Sequence, residues 1–201
     1  MIKRNLLLLS LATLLSACGF QLRGTGDSHF ALTELDVTAR NAYGETIKQV
    51  REVLESNHVK ISSSAPFHLV LAREDSQKRT VSYARNSGSA QVEMTNTLDY
   101  EIRGANNLLL LQNQLEVQNV YNQDQNNVTG SGQEAAQISQ EMRRSLVQKL
   151  AQNLQLITPL QLEQLQKTAQ AKAKVEADAQ AAAAKADRDR PQQSPIEFPT
   201  E

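Results

Sequence analysis

What the sequence lacks narrows the class of protein. Its 201 residues include one cysteine, no tryptophan, eight glycines and five prolines. A single cysteine excludes an intrachain disulfide and a metal site built from several cysteines, so packing must stabilise the fold. The one long apolar run, at residues 6–15, is shorter than the roughly 20 residues that a transmembrane helix needs.

The patterns that mark catalytic and metal sites are also missing. The histidines, His29, His58 and His68, do not have metal-site spacing. No Gly-x-Ser-x-Gly segment and no glycine-rich phosphate loop is present. We therefore predict a protein that is not an enzyme, with no metal and no bound cofactor. The scattered acidic residues leave a cell-wall hydrolase with paired carboxylates as the enzymatic alternative.

An excess of positive charge is missing as well. The chain has 21 basic and 22 acidic residues, and removal of Lys3 and Arg4 with residues 1–17 would leave a net charge of −3. Nucleic-acid binding usually requires a concentrated positive field. We therefore predict no nucleic-acid partner.

The N-terminus has the pattern of an export signal. Lys3 and Arg4 precede the apolar run, which ends in Leu15-Ser16-Ala17-Cys18. A basic start, a short apolar run and small residues before the cut are typical of a signal peptide, and a cysteine after Leu-Ser-Ala is the lipobox pattern. We predict cleavage after residue 17, with diacylglycerol and an N-acyl (palmitate) chain on Cys18. Gly19, rather than aspartate, favours the outer membrane.

Alternating apolar and polar side chains predict four strands. The clearest is 92–103, and the others are 31–39, 67–83 and 108–121. The residues expected to share the buried face of the first strand are Ala31, Thr33, Leu35, Val37 and Ala39. Those expected on the buried face of the last strand are Leu109, Leu111, Leu115, Val117 and Tyr121.

Two segments have the helical period instead. The first runs from Asn41, which can cap it, to Asn57, and its apolar stripe is Tyr43, Ile47, Val50 and Leu54. The second begins at Ser131-Gly132-Gln133-Glu134, which has the form of a capping box. Its stripe is Ile138, Met142, Leu146, Leu150 and Leu154, and it should end before Pro159.

These elements predict an α+β fold. Two helices can cover one face of a four-stranded, mostly antiparallel or mixed sheet, which gives a two-layer sandwich. We expect a signal peptide at 1–17, a lipidated lead-in at 18–29 and the sandwich at 30–158. An alanine-rich helical tail should follow at 159–190, and residues 191–201 should be disordered.

Two surface features have more than one interpretation. From 106 to 127, twelve of 22 residues are Asn or Gln, which fits either a soluble edge strand or a surface that meets a polar partner or a glycan. From 76 to 91 there are three bases and no acid: Lys78, Arg79 and Arg85. These bases either make a hairpin soluble or bind phosphate groups.

Two motifs carry a family resemblance. The segment Cys18-Gly19-Phe20-Gln21-Leu22-Arg23-Gly24 at the predicted mature start resembles the LptE (RlpB) family of lipopolysaccharide-assembly lipoproteins. The segment Tyr83-Ala84-Arg85-Asn86 is similar to that family's aromatic-x-Arg-Asn hairpin. The family is also known for the two-layer architecture that the element order predicts.

The resemblance implies a function and a partner. Such lipoproteins assemble with and plug the LptD β-barrel of the outer membrane and take part in lipopolysaccharide transport. A hairpin base implicated in lipopolysaccharide binding corresponds to Arg85, with Lys78 and Arg79 as weaker candidates. A second base that the family can carry before the last helix has no counterpart in 126–133. The alternative is another outer-membrane lipoprotein adapter, such as a pilotin or a barrel-assembly accessory.

Overall fold

Five strands and three α-helices form the part of the chain that the computed structural model describes, residues 30–83 and 88–188. They are β1 (Glu34–Ala39), α1 (Glu45–Ser56), β2 (Lys60–Ile61), β3 (His68–Tyr83), β4 (Ser89–Arg103), β5 (Leu109–Asp124), α2 (Val128–Gln155) and α3 (Pro159–Arg188). A 3₁₀ turn at Ala105–Asn107 joins β4 to β5. The predicted signal peptide, Cys18, Arg85 and residues 191–201 lie outside the described residues.

The predicted alternation of β4 is confirmed. Its buried side chains are Val92, Met94, Asn96, Leu98, Tyr100 and Ile102. The residues between them are partly exposed. β4 pairs antiparallel with β3 on one side and β5 on the other, so it is the middle of a meander with one buried and one open face.

The sheet has five strands, in the order β2-β1-β3-β4-β5. β1 is parallel to both β2 and β3, and the rest is antiparallel, so the predicted mixed sheet is confirmed. The predicted number of four strands was wrong. The fifth, β2, has only two residues, which is too short to show an alternation in the sequence.

The helices lie on one face of the sheet and complete a two-layer α+β sandwich, as predicted. α1 buries Ile47, Val50 and Leu54. α2 contributes Met142, Leu146, Val147, Leu150 and Leu154. Except for Met142, these side chains share a core with Leu69 and Tyr100 of the sheet. Met142 belongs to a smaller cluster with Val92, Met94 and Tyr121, further along the sheet.

Three predicted buried positions were wrong for local reasons. Tyr43 is 90% exposed because α1 begins at Glu45, after Gly44, so Tyr43 precedes the first helical turn. Ala31 and Thr33 are exposed because β1 begins only at Glu34.

A β-bulge explains why the predicted burial of Leu109 in β5 was wrong. Ile102 pairs with Leu111 and Arg103 pairs with Leu109, so Leu110 is one extra residue. The bulge reverses the alternation, and Leu109 is exposed while Leu110 is buried. A strict period of two would have placed Leu109 beside Leu111.

The predicted capping box is also wrong. α2 begins at Val128, and Asn127 caps it by accepting a hydrogen bond from the Gly130 amide at 3.0 Å. Ser131 instead ties the helix to β5, because its Oγ accepts from the Asp124 amide at 2.8 Å. Its hydroxyl is therefore not available to cap a helix.

The start of α3 belongs to the core although most of the helix is exposed. Leu162 is fully buried in the main cluster. Gln166 lies so close over Gly104 that a side chain there would collide with its amide, and it donates to the Ala105 carbonyl at 3.4 Å. The tail is helical, as predicted, and its first turns pack against the sheet.

Truncating Leu162 tests this attachment. Leu162→Ala should lower the free energy of unfolding by about 2–5 kcal/mol, because removal of a buried side chain leaves a cavity. Leu160→Ala, at a side chain that is 64% exposed, should change it by less than about 0.5 kcal/mol. Urea denaturation followed by circular dichroism measures both. Equal, small losses would show that α3 unfolds independently of the sandwich.

The start of α2 gives a second test. Asn127→Ala should cost about 1 kcal/mol of stability, because it removes the side-chain acceptor of the cap. Glu134→Ala should cost little, because Glu134 is exposed and closes no capping box. Thermal unfolding of both variants measures the difference. A larger loss for Glu134→Ala would restore the capping-box assignment.

Candidate functional site

The β3–β4 hairpin extends well beyond the rest of the sheet. β1 pairs with β3 only over 68–71, whereas β3 continues to Tyr83. Residues 73–83 are all exposed. The sequence-predicted binding residues Lys78, Arg79 and Arg85 therefore fall on or next to a projecting two-stranded arm, of which Arg85 lies outside the described residues.

The arm separates the two described bases. Leu71 pairs with Tyr100 and Arg73 with Asp99, so Ala72 is an extra residue that reverses the alternation of β3. Beyond this bulge, Lys78 pairs with buried Met94 and Arg79 with Glu93. Directly opposed residues point to the same face of a sheet. Lys78 therefore lies on the helix-covered side and Arg79 on the open side.

The two bases also differ in charge balance. Arg79 Nη2 donates to Glu93 Oε1 at 2.9 Å, so an acid of the neighbouring strand offsets its charge. Lys78 makes no hydrogen bond or ion pair with another described residue. The segment 76–91 contains no acid in the sequence, but in the folded sheet the register places Glu93 opposite Arg79. The net positive charge around these bases is therefore smaller than the sequence suggests.

Apolar side chains accompany these bases at the same end of the sheet. Tyr83 is 73% exposed and Val81 is 44% exposed. Val128, 73% exposed, begins α2 just after β5, whose last residue Asp124 pairs with Ser89. We call this end, with Lys78, Val81, Tyr83 and Val128, the hairpin tip. It combines a cation with exposed apolar groups, which is the combination that an anionic amphiphile requires.

The open face of the sheet is a set of paired polar groups. Its ion pairs are Lys60–Glu34, Arg73–Asp99, Arg79–Glu93 and Arg103–Glu101, at distances of 2.6–3.3 Å. His68 Nδ1 also lies within hydrogen-bond distance of Asp36 Oδ2, at 2.9 Å. The amides of β5 join them, because Gln114 donates to Asp99 at 2.7 Å and Gln118 to Glu116 at 2.6 Å. This face presents hydrogen-bonding groups with an excess of carboxylates, because those of Asp75 and Glu116 bind glutamine amides.

A polar cleft of about 580 Å³ lies on the other side, at the start of α1. Arg40, Glu45, Thr46, Glu74 and Arg143 line it. Thr46 is buried and donates to Glu74 Oε1 at 2.8 Å, and the hydrogen bond and charge of Lys48 lower the pKa of Glu45. The sequence offered no signal for this cleft, because its residues come from β1, α1, β3 and α2.

The opposite end of the sheet, which we call the base, has a groove of about 530 Å³. Its lining residues are Leu111, Leu156, Ile157, Leu162 and Leu165, together with Gln161, Gln164 and Thr168. The described chain also begins at the base, because Phe30 is part of the core just before β1. The chain therefore joins the sandwich at the end remote from the hairpin tip.

Metal binding and membrane insertion are two further possibilities for the described ranges, 30–83 and 88–188. No three His, Cys, Asp or Glu side chains in them are grouped so that they could hold a metal ion. None of the helices in these ranges has the length and apolarity to cross a membrane.

Solved structures show the same fold. The fold is similar to the rare lipoprotein B of Shewanella oneidensis, with a TM-score of 0.51, 21% identity and coverage of 71% of this chain and 98% of that one. It is also similar to a minor lipoprotein of Acinetobacter baumannii, with a TM-score of 0.53, 14% identity and coverage of 61% and 90%. At these identities the likeness shows the fold, a two-layer α+β sandwich found in bacterial lipoproteins.

Sequence comparison defines the family. The profile of the lipopolysaccharide-assembly family LptE matches residues 32–154. The LPS-assembly lipoprotein LptE of Photorhabdus laumondii is 35% identical over 101 residues, 48% of this chain and 55% of that protein. Its counterpart in Yersinia pestis (strain Pestoides F) is 28% identical over 168 residues, 80% of each chain. The chain belongs to the LptE family, which confirms the resemblance carried by the two motifs.

The first of these matches is partial. The chain spans about half the length of the Photorhabdus relative. The family profile ends at residue 154 and leaves α3 outside it.

Proposed function

We propose that the chain is an outer-membrane lipoprotein that assembles with the LptD β-barrel, plugs its lumen and takes part in lipopolysaccharide transport. The observation that carries this proposal is the open sheet face, together with membership of the LptE family. The proposal requires no covalent chemistry. The chain would act as a scaffold, as a plug and as a contact for lipopolysaccharide.

The open face has the chemistry that a barrel lumen requires. The interior of an outer-membrane barrel is polar, while its apolar band faces lipid. Four ion pairs of the open face carry matched charges, so burial of these groups against a polar wall costs less than burial of isolated charges. Exposed amides of this face, such as Gln112 and Asn122, can both donate and accept hydrogen bonds.

The proposed tether supports the same arrangement. Lipidation of Cys18 would hold the chain at the membrane, twelve residues before Phe30. Because Phe30 lies at the base, the tether would place the base near the membrane surface and leave the hairpin tip at the far end. Confinement to one membrane also raises the effective concentration of the barrel partner.

The hairpin tip is the proposed contact for lipopolysaccharide. Lipopolysaccharide carries phosphates and acyl chains, which need cations and apolar surface. Lys78 has no hydrogen-bond or ion-pair partner among the described residues. It is five residues before exposed Tyr83 on the same strand. Arg85 is two residues after Tyr83 in the sequence. Arg79 is a weaker contributor, because Glu93 already binds its guanidinium.

Affinity purification of the lipidated chain from outer membranes tests the plug. We expect a large LptD-type barrel in one-to-one ratio, identified by mass spectrometry. Thr95→Arg adds a bulky charge to the open face and should reduce that recovery about tenfold, because an unpaired charge in an interface is costly. Val175→Arg, at an exposed position of α3, is the matched control and should leave recovery unchanged.

Two results would contradict this assignment. Recovery of a secretin or of another barrel would favour the adapter alternative, a pilotin or a barrel-assembly accessory. Equal recovery with Thr95→Arg and Val175→Arg would show that the open face does not meet the barrel.

Neutralising the three bases one at a time tests the tip. Arg85→Gln and Lys78→Gln should each weaken lipopolysaccharide binding about tenfold, because each removes a charge-assisted contact. Arg79→Gln is the matched control and should weaken it less than about threefold, because Arg79 is already paired. Titration of the chain with labelled lipopolysaccharide, with circular dichroism to check the fold, measures the three affinities. An unchanged affinity for both Lys78→Gln and Arg85→Gln with an intact fold would refute the hairpin tip as the contact.

A further inference from the structure

The cleft at the start of α1 lies where the parallel part of the sheet ends. Arg40 and Asn41 directly follow β1, and the pairing of β3 with β1 ends at Leu71. All three residues line the cleft. In open sheets with parallel strands, ligands bind in the crevice outside the carboxyl ends of the strands. The volume of about 580 Å³ is within the roughly 300–1,000 Å³ of small-molecule sites, so position and size both suit a small ligand.

Two arginine side chains of the cleft are available to bind an anion. Arg40 follows β1 and is exposed, and Arg143 lies on α2 and is half-buried. Neither side chain makes a hydrogen bond or ion pair with another described residue. Glu45 of the same cleft, in contrast, pairs with Lys48 at 2.7 Å. A guanidinium binds a phosphate or a carboxylate through two parallel hydrogen bonds, so the cleft favours a ligand with an anionic group.

A carboxylate in the same cleft requires hydrogen-bond donors on the ligand. Thr46 is 3% exposed and donates to Glu74 Oε1 at 2.8 Å, which holds the carboxylate in place. Glu74 Oε2 makes no hydrogen bond with another described residue. An ionised carboxylate can only accept hydrogen bonds, so Glu74 repels an isolated phosphate ion but can bind the hydroxyl groups of a sugar.

An exposed aromatic ring lies in the loop that borders the cleft. Tyr43 is between the lining residues Asn41 and Gly44 in the sequence and is 90% exposed. The face of an aromatic ring is a flat apolar surface with a negative potential, against which the C–H groups of a sugar ring can stack. The side-chain amide of Asn41 can both donate and accept hydrogen bonds. The loop therefore adds two groups that suit a saccharide.

We propose that the cleft binds an anionic saccharide, which is a sugar that carries a phosphate or a carboxylate. Arg40 and Arg143 bind the anionic group, and Glu74 and Asn41 bind hydroxyl groups. Tyr43 covers one face of the sugar ring. Two sources have this chemistry, a free sugar phosphate and the phosphorylated saccharide of lipopolysaccharide.

The second source is compatible with the proposed hairpin tip. Glu74 pairs with buried Leu98 and Lys78 with buried Met94, so both lie on the helix-covered side of β3. They are four residues apart, about 13 Å along the strand. A lipopolysaccharide molecule at the hairpin tip therefore has its saccharide within reach of the cleft. This source, unlike the first, rests on the proposed function.

Calorimetric titration of the full-length lipidated chain in detergent tests the cleft. The anionic probes are glucose 6-phosphate and the phosphorylated oligosaccharide that alkaline deacylation of lipopolysaccharide releases. The better of the two should bind at least about tenfold more tightly than inorganic phosphate or its own dephosphorylated form, because only the intact probe engages both the arginines and Glu74. Failure of both probes to bind, or equal binding of inorganic phosphate, would overturn the proposal.

Substitutions locate the binding within the molecule. Arg143→Gln should weaken binding of the better probe about tenfold and Tyr43→Ala about threefold. Arg144→Gln is the matched control, because Arg144 is the exposed neighbour that does not line the cleft, and it should change the affinity less than about twofold. Equal effects of Arg143→Gln and Arg144→Gln would overturn the proposal. Binding that depends on Lys78 and not on Arg143 would also overturn it, while leaving the proposed hairpin tip intact.

The same titrations separate the two sources. Tighter binding of the deacylated oligosaccharide than of glucose 6-phosphate, with the same dependence on Arg143, would support the cleft as a contact for lipopolysaccharide. Binding of glucose 6-phosphate alone would support a free sugar phosphate as the ligand.

Discussion

The burial of every second side chain of β4 is the constraint on which the rest of the structure depends. A slip of one residue would place Glu93 and Asp99 under the helices and would bring Leu98 into water. Because the core fixes the register of β4 against β3 and β5, it also decides which charged groups meet on the open face. The pairs Arg73–Asp99 and Arg79–Glu93 are therefore a consequence of apolar burial as well as of their own attraction.

The sequence predicted the elements whose pattern is long and uninterrupted. β4 and the stripe of α2 show one period over many residues, and both were right. The errors came where local geometry breaks the period. β2 has two residues, Tyr43 precedes its helix, and the extra residue Leu110 reverses the alternation of β5. Ser131 looked like a cap, but tertiary contact with Asp124 uses its hydroxyl.

The candidate site was predictable in part, for a related reason. Lys78 and Arg79 are adjacent in the sequence and both lie on the projecting arm, as a basic hairpin predicts. Their different surroundings follow from the bulge at Ala72 and from the strand that carries Glu93, and neither is visible in a count of charges. The cleft at the start of α1 was not predictable, because the residues that line it are far apart in the sequence and form no motif.

The length of the meander has a consequence for where its two ends can be. β4 has 15 residues, which at roughly 3.3 Å per residue gives a stiff strand of about 50 Å. The hydrocarbon core of a bilayer is only about 30 Å thick. A chain held by its base at one leaflet, as proposed above, is long enough for its other end to stand level with the opposite leaflet. The length of the sheet would then determine how far the hairpin tip extends across the membrane. The bulges and strand pairings that set the length of the sheet would also set that distance.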